Sequence, residues 1–160
     1  MLKNGLVQVY TGNTDLFNFA PVGLCLRAAG QCLSSMITCF LPIDLMRGAA
    51  IASSFLKPYL FFDNPHVYPY PFNKKIFKEK SLASFKKAEN AAISAEFDII
   101  VLNDVHALLE EKIVSTQDII SLIQDKSSKV ELILGGRDLP MEIVENSDLV
   151  TEMVVSSSRE

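Results

Sequence analysis

The run "DIIVLND", residues 98–104, is apolar at successive positions rather than at alternate ones. A strand of that kind hides both faces, which in a globular chain means a parallel sheet with helices on either side. Similar short runs occur at Leu6–Tyr10, Ser35–Leu41, Tyr59–Asp63, Val130–Leu134 and Leu149–Val155. Longer segments with helical spacing lie between them, the alternation expected of an α/β chain. The order predicts one α/β domain over residues 1–160, a mostly parallel, Rossmann-like sheet of about six strands with helices on both faces.

Helices are expected at Val22–Ala29, Asp44–Leu56 and Lys75–Ala95, the last with Ile76, Phe77, Leu82, Phe85 and Ala88 as its buried stripe. Ser115 or Thr116 can cap the segment "QDIISLIQDK", with Asp118 near the positive end of its dipole. Pro140 can open "PMEIVENS" without the loss of a hydrogen bond. The loop "DNPHVYPYPFNKK" stands apart in composition, with three prolines and several aromatic residues around His66.

Hydrophobic residues make up 49% of the 160, enough for a sizeable core. Fifteen basic against 19 acidic residues give a net charge of −4, which speaks against a nucleic-acid surface. Lys74, Lys75, Lys78, Lys80, Lys86 and Lys87 read as the solvated face of a helix. Cys25, Cys32 and Cys39 are odd in number and lack the tight pairing of a zinc site, so buried free thiols in a reducing compartment are expected. No apolar stretch reaches the length of a membrane span, and the N-terminus does not read as a signal peptide. The expected location is the cytoplasm.

The first strand and helix frame a turn of unusual content. A strand, a glycine turn and a helix form the scaffold of nucleotide-binding loops. Here Gly12 breaks the strand, but the turn then carries Asp15, Phe17 and Phe19, and no lysine.

With this order of elements, the chain resembles the ATP:corrinoid adenosyltransferases, P-loop enzymes of cobalamin metabolism. "GLVQVYTGN" and "GLCLRAAG" flank the first turn as in that family, which places G-N-G-K-G-K-T-T between them. "DIIVLND" is similar to the family strand that ends in an Asp-Glu pair, and "ILGGRDLPMEIVENSDLVTEM" to its closing strand, turn, helix and strand. The resemblance covers most of the chain, more weakly over residues 44–90. It implies a P-loop NTPase-like fold, ATP with Mg²⁺, a corrinoid reduced to Co(I), and transfer of the adenosyl group to cobalt with release of triphosphate.

Carried over residue by residue, the resemblance leaves a vestigial nucleotide site of Gly12, Asn13, Thr14, Asp15, Phe17, Asn18 and Arg137. Gly12 and Asn13 match the family. Thr14 and Leu16 replace glycines, Asp15 replaces a lysine, and Phe17 stands at the phosphate-binding lysine. Asn18 and Phe19 occupy the hydroxyl positions. Glycines let backbone amides approach phosphate, a lysine neutralises it and a hydroxyl ligates magnesium, so each change works against a triphosphate. Pro21 predicts that the helix starts near Ala20 or later, a turn late for an anion site.

The Asp-Glu pair appears as Asn103-Asp104, leaving Asp104 as a weak metal candidate or a turn or cap residue. His106 reads as structural or as a metal partner of Asp104. Arg137 can meet an anion or pair with Asp138 or Glu142. The family's aromatic element against the corrinoid has a loose counterpart in Tyr68, Tyr70 and Phe72, which can equally cap the core or form a protein-binding surface. Family members also continue past "LVTEM" with a basic and aromatic tail; its absence here would leave the site wetter.

Three readings follow. One is a divergent homologue impaired in ATP-dependent transfer that keeps a corrinoid or a partner. The second is an active adenosyltransferase with a rebuilt nucleotide site. The third is a non-enzymatic interaction protein, with a homodimer or another protein partner left open.

Overall fold

The structure, a computed structural model, describes residues 4–41, 46–64 and 73–156. Its strands are β1 (Val7–Gly12), β2 (Ser35–Cys39), β3 (Leu60–Asp63), β4 (Ile99–Asn103), β5 (Glu131–Gly135) and β6 (Leu149–Met153). They form one sheet in the order β3-β2-β4-β5-β1-β6, and every neighbouring pair is parallel. The fold is α/β, as the successive apolar runs require.

The helices are α1 (Phe19–Ala29), α2 (Arg47–Ser53), α3 (Lys74–Ser94), α4 (Val105–Glu110), α5 (Thr116–Asp125) and α6 (Met141–Glu145). Two cores confirm that the sheet is covered on both faces. Ile100, Leu102, Leu132 and Leu134 point into one, against Phe85, Leu108, Ile119 and Ile143 from α3, α4, α5 and α6. Their alternates Ile99, Val101 and Ile133 point into the other, with Val22, Cys25 and Ala28 of α1. Each fully buried aliphatic side chain contributes about 1.5–3 kcal/mol, so the central strands carry much of the stability.

Local signals are honoured at the helix ends. Ser115 and Asp118 form a reciprocal capping box, in which the Ser115 amide donates to the Asp118 carboxylate at 2.7 Å and the Asp118 amide to Ser115 Oγ at 3.1 Å. The bonds donated to it by the Ser115 amide and the Ser115 hydroxyl hold the Asp118 carboxyl below its ordinary pKa. Asn73 caps α3 through the amides of Lys75 and Ile76.

Three expectations need correction. The buried stripe of α3 is Phe77, Ser81, Ser84, Phe85, Ala88, Ala91 and Ala92, whereas Ile76 and Leu82 are exposed. Positions 77, 81, 84, 88 and 91 follow the three-and-four spacing of one helical face; Ile76 and Leu82 fall to either side of it. Cys25 and Cys39 are buried, with burial pushing both thiols up to about 12, but Cys32 is exposed. The helix expected over Val22–Ala29 begins earlier: α1 starts at Phe19, beside Ala20 as Pro21 implies, because a 3₁₀ turn at Asp15–Asn18 leads directly into it.

Candidate functional site

Because β4, β5 and β1 are neighbours, the segments leaving their carboxyl ends meet. That is where open α/β sheets hold their ligands. The three segments are the turn after Gly12, the Asn103–His106 corner and the Gly135–Arg137 corner.

The turn begins with residues that face β6. A side chain at Gly12 would run into the Met153 carbonyl, so the close passage of β6 requires glycine there. The Asn13 Oδ1 accepts the Val155 amide at 3.1 Å. Thr14 caps the 3₁₀ turn, its Oγ1 accepting a long 3.4 Å bond from the Leu16 amide.

Phe17 and Asn18 then turn inward and are fully buried. The Phe17 ring stands edge-on to His106, with centroids 6.4 Å apart and planes at 82°. Asn18 Nδ2 donates to Asp104 Oδ1 at 2.8 Å, while the Asn18 backbone carbonyl accepts from Asn103 Nδ2 at 3.2 Å. The side-chain oxygens of Asn18 and Asn103 have no hydrogen-bond partner. Both face Gly135, where a Cβ would lie 3.2 Å from one and 2.8 Å from the other. Glycine is therefore needed at 135 so that the two amides can share the space above β5.

Asp104 sits in the left-handed region, φ 65° and ψ 35°, at the N-cap position of α4. It does not act as a cap, since its side chain makes no bond to the helix amides. It is almost wholly buried, and Oδ2 has no partner. Burial, with a smaller contribution from the charge of Asp15, pushes its carboxyl up to about 6. The hydrogen bond from Asn18, the nearby Leu41 backbone amide and the charge of Arg137 oppose that shift.

Arg137 joins the turn to the β4 corner. Its Nε lies 3.9 Å from Asp15 Oδ1, and both side chains are about half exposed or more. Its guanidinium also stands 3.4 Å from His106 Nε2, and its backbone amide 3.5 Å from His106 Nδ1. A neutral imidazole has one acceptor nitrogen and can satisfy only one of these donors. Protonation would leave none, and burial followed by the Arg137 charge lowers the His106 pKa.

Thus Asp15, Phe17, Asn18, Asp104 and Arg137 meet at one place. Arg137 pairs with Asp15 rather than with Asp138 or Glu142. Both nitrogens of His106 face Arg137. Among the described residues, no group of three His, Cys, Asp or Glu side chains could hold a metal ion. Tyr68, Tyr70 and Phe72 lie outside the described residues. Asn103 enters the sequence reading only as half of the Asn103-Asp104 pair, and Gly135 not at all; the signal is the glycine pair at the end of β5, whose need for space shows only once β4 lies beside it.

The model of one family, described as ATP:corrinoid adenosyltransferase BtuR/CobO/CobP, matches residues 3–158. The chain belongs to this family. The solved structure of the flagellar accessory protein FlaH from Methanocaldococcus jannaschii is similar in fold, with a TM-score of 0.58 at 16% identity. That similarity covers 94% of this chain and 72% of FlaH. A 66-residue stretch is 26% identical to "Uncharacterized protein all2391" of Nostoc sp. (strain PCC 7120 / SAG 25.82 / UTEX 2576). It takes in 41% of this chain and 18% of that relative, so the chain spans less than a fifth of the Nostoc protein's length. Among the described residues, no helix of this adenosyltransferase-family chain is long and apolar enough to cross a membrane.

Proposed function

We propose that this chain is a corrinoid adenosyltransferase homologue that no longer takes up ATP at the nucleotide loop and works through a bound corrinoid or a protein partner. The observation that carries this reading is the burial of Phe17 at the position of the family's phosphate-binding lysine. To admit a triphosphate the loop would have to expel that ring, at a cost of about 1.5–3 kcal/mol in lost burial. It would also lack the lysine's charge-assisted bond, about 1.5–3 kcal/mol more.

The neighbouring groups support the same reading. Asp15 sets a carboxylate against Arg137, the cation left near the loop. Asn18, at a magnesium-ligating position, offers an amide instead of a hydroxyl and gives its Nδ2 to Asp104. These residues do not fit a magnesium triphosphate. A corrinoid role rests on Tyr68, Tyr70 and Phe72 and on family membership.

A rebuilt nucleotide site is favoured by one feature, the exposure of Arg137 and its long 3.9 Å contact with Asp15, which leave the guanidinium able to turn toward an anion. Incubation with Co(I) corrinoid, Mg²⁺ and ATP, alongside titrations with each ligand, separates the readings. Corrinoid binding without ATP binding or turnover is the expected result. Formation of adenosylcorrinoid overturns it in favour of the rebuilt site. Binding of neither ligand leaves the interaction role, to be pursued by affinity capture.

A further inference from the structure

We infer that His106 is a proton-controlled latch on Arg137: its neutral ring holds the guanidinium inward, and protonation releases that group to take a small tetrahedral oxyanion. The inference stands apart from whether the chain uses ATP. It starts from the crowding of donors around one imidazole.

His106 lies in the first turn of α4 and is buried. The Phe17 ring closes one side of it, edge-on. An Arg137 guanidinium nitrogen stands 3.4 Å from Nε2, and the Arg137 backbone amide 3.5 Å from Nδ1. Both Arg137 groups can only donate. With the ring neutral, one nitrogen accepts from Arg137, and the tautomer protonated at Nδ1 keeps the guanidinium on Nε2. Protonation turns both nitrogens into donors, each set against a donor of Arg137.

Of those two donors, the guanidinium is the one able to leave. The backbone amide is held by the β5 corner, where the Gly136 amide bonds the Tyr10 carbonyl at 3.0 Å. The Arg137 side chain is half exposed, and its contact with Asp15 is long. A proton on His106 therefore frees the guanidinium and adds a second positive group beside it. An oxyanion that enters between the two accepts charge-assisted bonds from both.

The charges facing the ring make this coupling mutual. Burial and the Arg137 charge disfavour the protonated ring, whereas Glu110 of α4, Asp15 of the 3₁₀ turn and Asp138 of the β5 corner favour it. An anion that draws Arg137 away removes one of the two obstacles to protonation. Proton and anion binding then reinforce each other to the same degree. Asp104, two residues before His106, titrates near pH 6 and is separated from it by a variant.

Sulfate is the probe, because it keeps its charge across about pH 5–8, the range in which histidine titrates. The chain should bind sulfate about tenfold more tightly at the acid end, and saturating sulfate should raise the His106 pKa by about 1. Proton resonances of the His66→Gln protein, which leaves His106 as its one histidine, read that rise. His106→Gln keeps an acceptor for the guanidinium but does not titrate, so its sulfate affinity should be level with pH. Asp104→Asn should keep the acid dependence, and Arg137→Gln should lose sulfate binding. Several results would each overturn the latch. They are an affinity level with pH in the unaltered chain, an acid dependence that persists in His106→Gln or vanishes in Asp104→Asn, binding that survives Arg137→Gln, and a His106 pKa that sulfate leaves unmoved.

Discussion

Asn18 Nδ2 donates to Asp104 Oδ1 at 2.8 Å, tying the turn after β1 to the end of β4 across 86 residues of sequence. The bond is fully buried, and it satisfies only one of the two carboxylate oxygens. It therefore orders the turn without making the carboxylate comfortable.

Asp104 should make the protein less stable as pH rises. Its folded pKa of about 6 lies above the ordinary value near 3.9, so the folded state holds a proton that the unfolded chain has lost. Stability then falls between about pH 4 and pH 6 and levels off above. Asp104→Asn removes this slope and should stabilise the protein near neutral pH by about 1–3 kcal/mol, with little difference near pH 4. His106 titrates in the opposite sense, losing stability as pH falls below its unfolded value, so the variant is compared with the parent at each pH. Urea melts across the range give the answer, and a difference independent of pH would refute the account.

Phe17→Ala should cost about 3–5 kcal/mol, the usual loss for a fully buried ring. The loss should appear in the midpoint of chemical unfolding, with the slope unchanged. A cost below about 1 kcal/mol would show that the ring is not part of the core.

Gly135→Ala places a methyl group 2.8 Å from Asn103 Oδ1 and 3.2 Å from Asn18 Oδ1. Neither amide can retreat freely, since each Nδ2 is bonded in the interior. A destabilisation of about 1–3 kcal/mol is expected from the overpacking. An unchanged thermal midpoint would mean that the amides rotate aside without loss.

Asp15→Ala should leave stability within about 1 kcal/mol, because its contact with Arg137 is exposed and long. What changes is the field around Arg137. Titration with inorganic phosphate, followed by the Arg137 side-chain resonance, should show tighter binding than in the parent. Equal affinity would remove Asp15 as the group that competes for the guanidinium.

The sheet was legible because burial on both faces writes itself into consecutive apolar residues, as in Ile99–Leu102. Strand ends were less so. β1 runs on to Gly12 because Thr11 and Gly12 pair with Glu152 and Met153, a partnership that local sequence does not reveal. The six-residue helix α4 was missed because it follows β4 with only Asp104 between them. At the site, the loss of lysine and hydroxyl was visible residue by residue. The contact of Asp15 with Arg137 was not, since these two residues are far apart in the chain and meet only because β1 and β5 lie side by side.

Gly12 carries a consequence for how a worn motif is interpreted. Its missing side chain makes room for the Met153 carbonyl, so the adjoining strand alone suffices to hold that position to glycine. Leu16, by contrast, is exposed, with little around it to forbid bulk. One loop thus answers to two masters: its first glycine to the architecture of the sheet, its later positions to whatever ligand a loop of this kind holds. When the ligand's demand lapses, the first half stays legible and the second drifts. A surviving glycine at such a corner is testimony about its neighbour, and says nothing of phosphate.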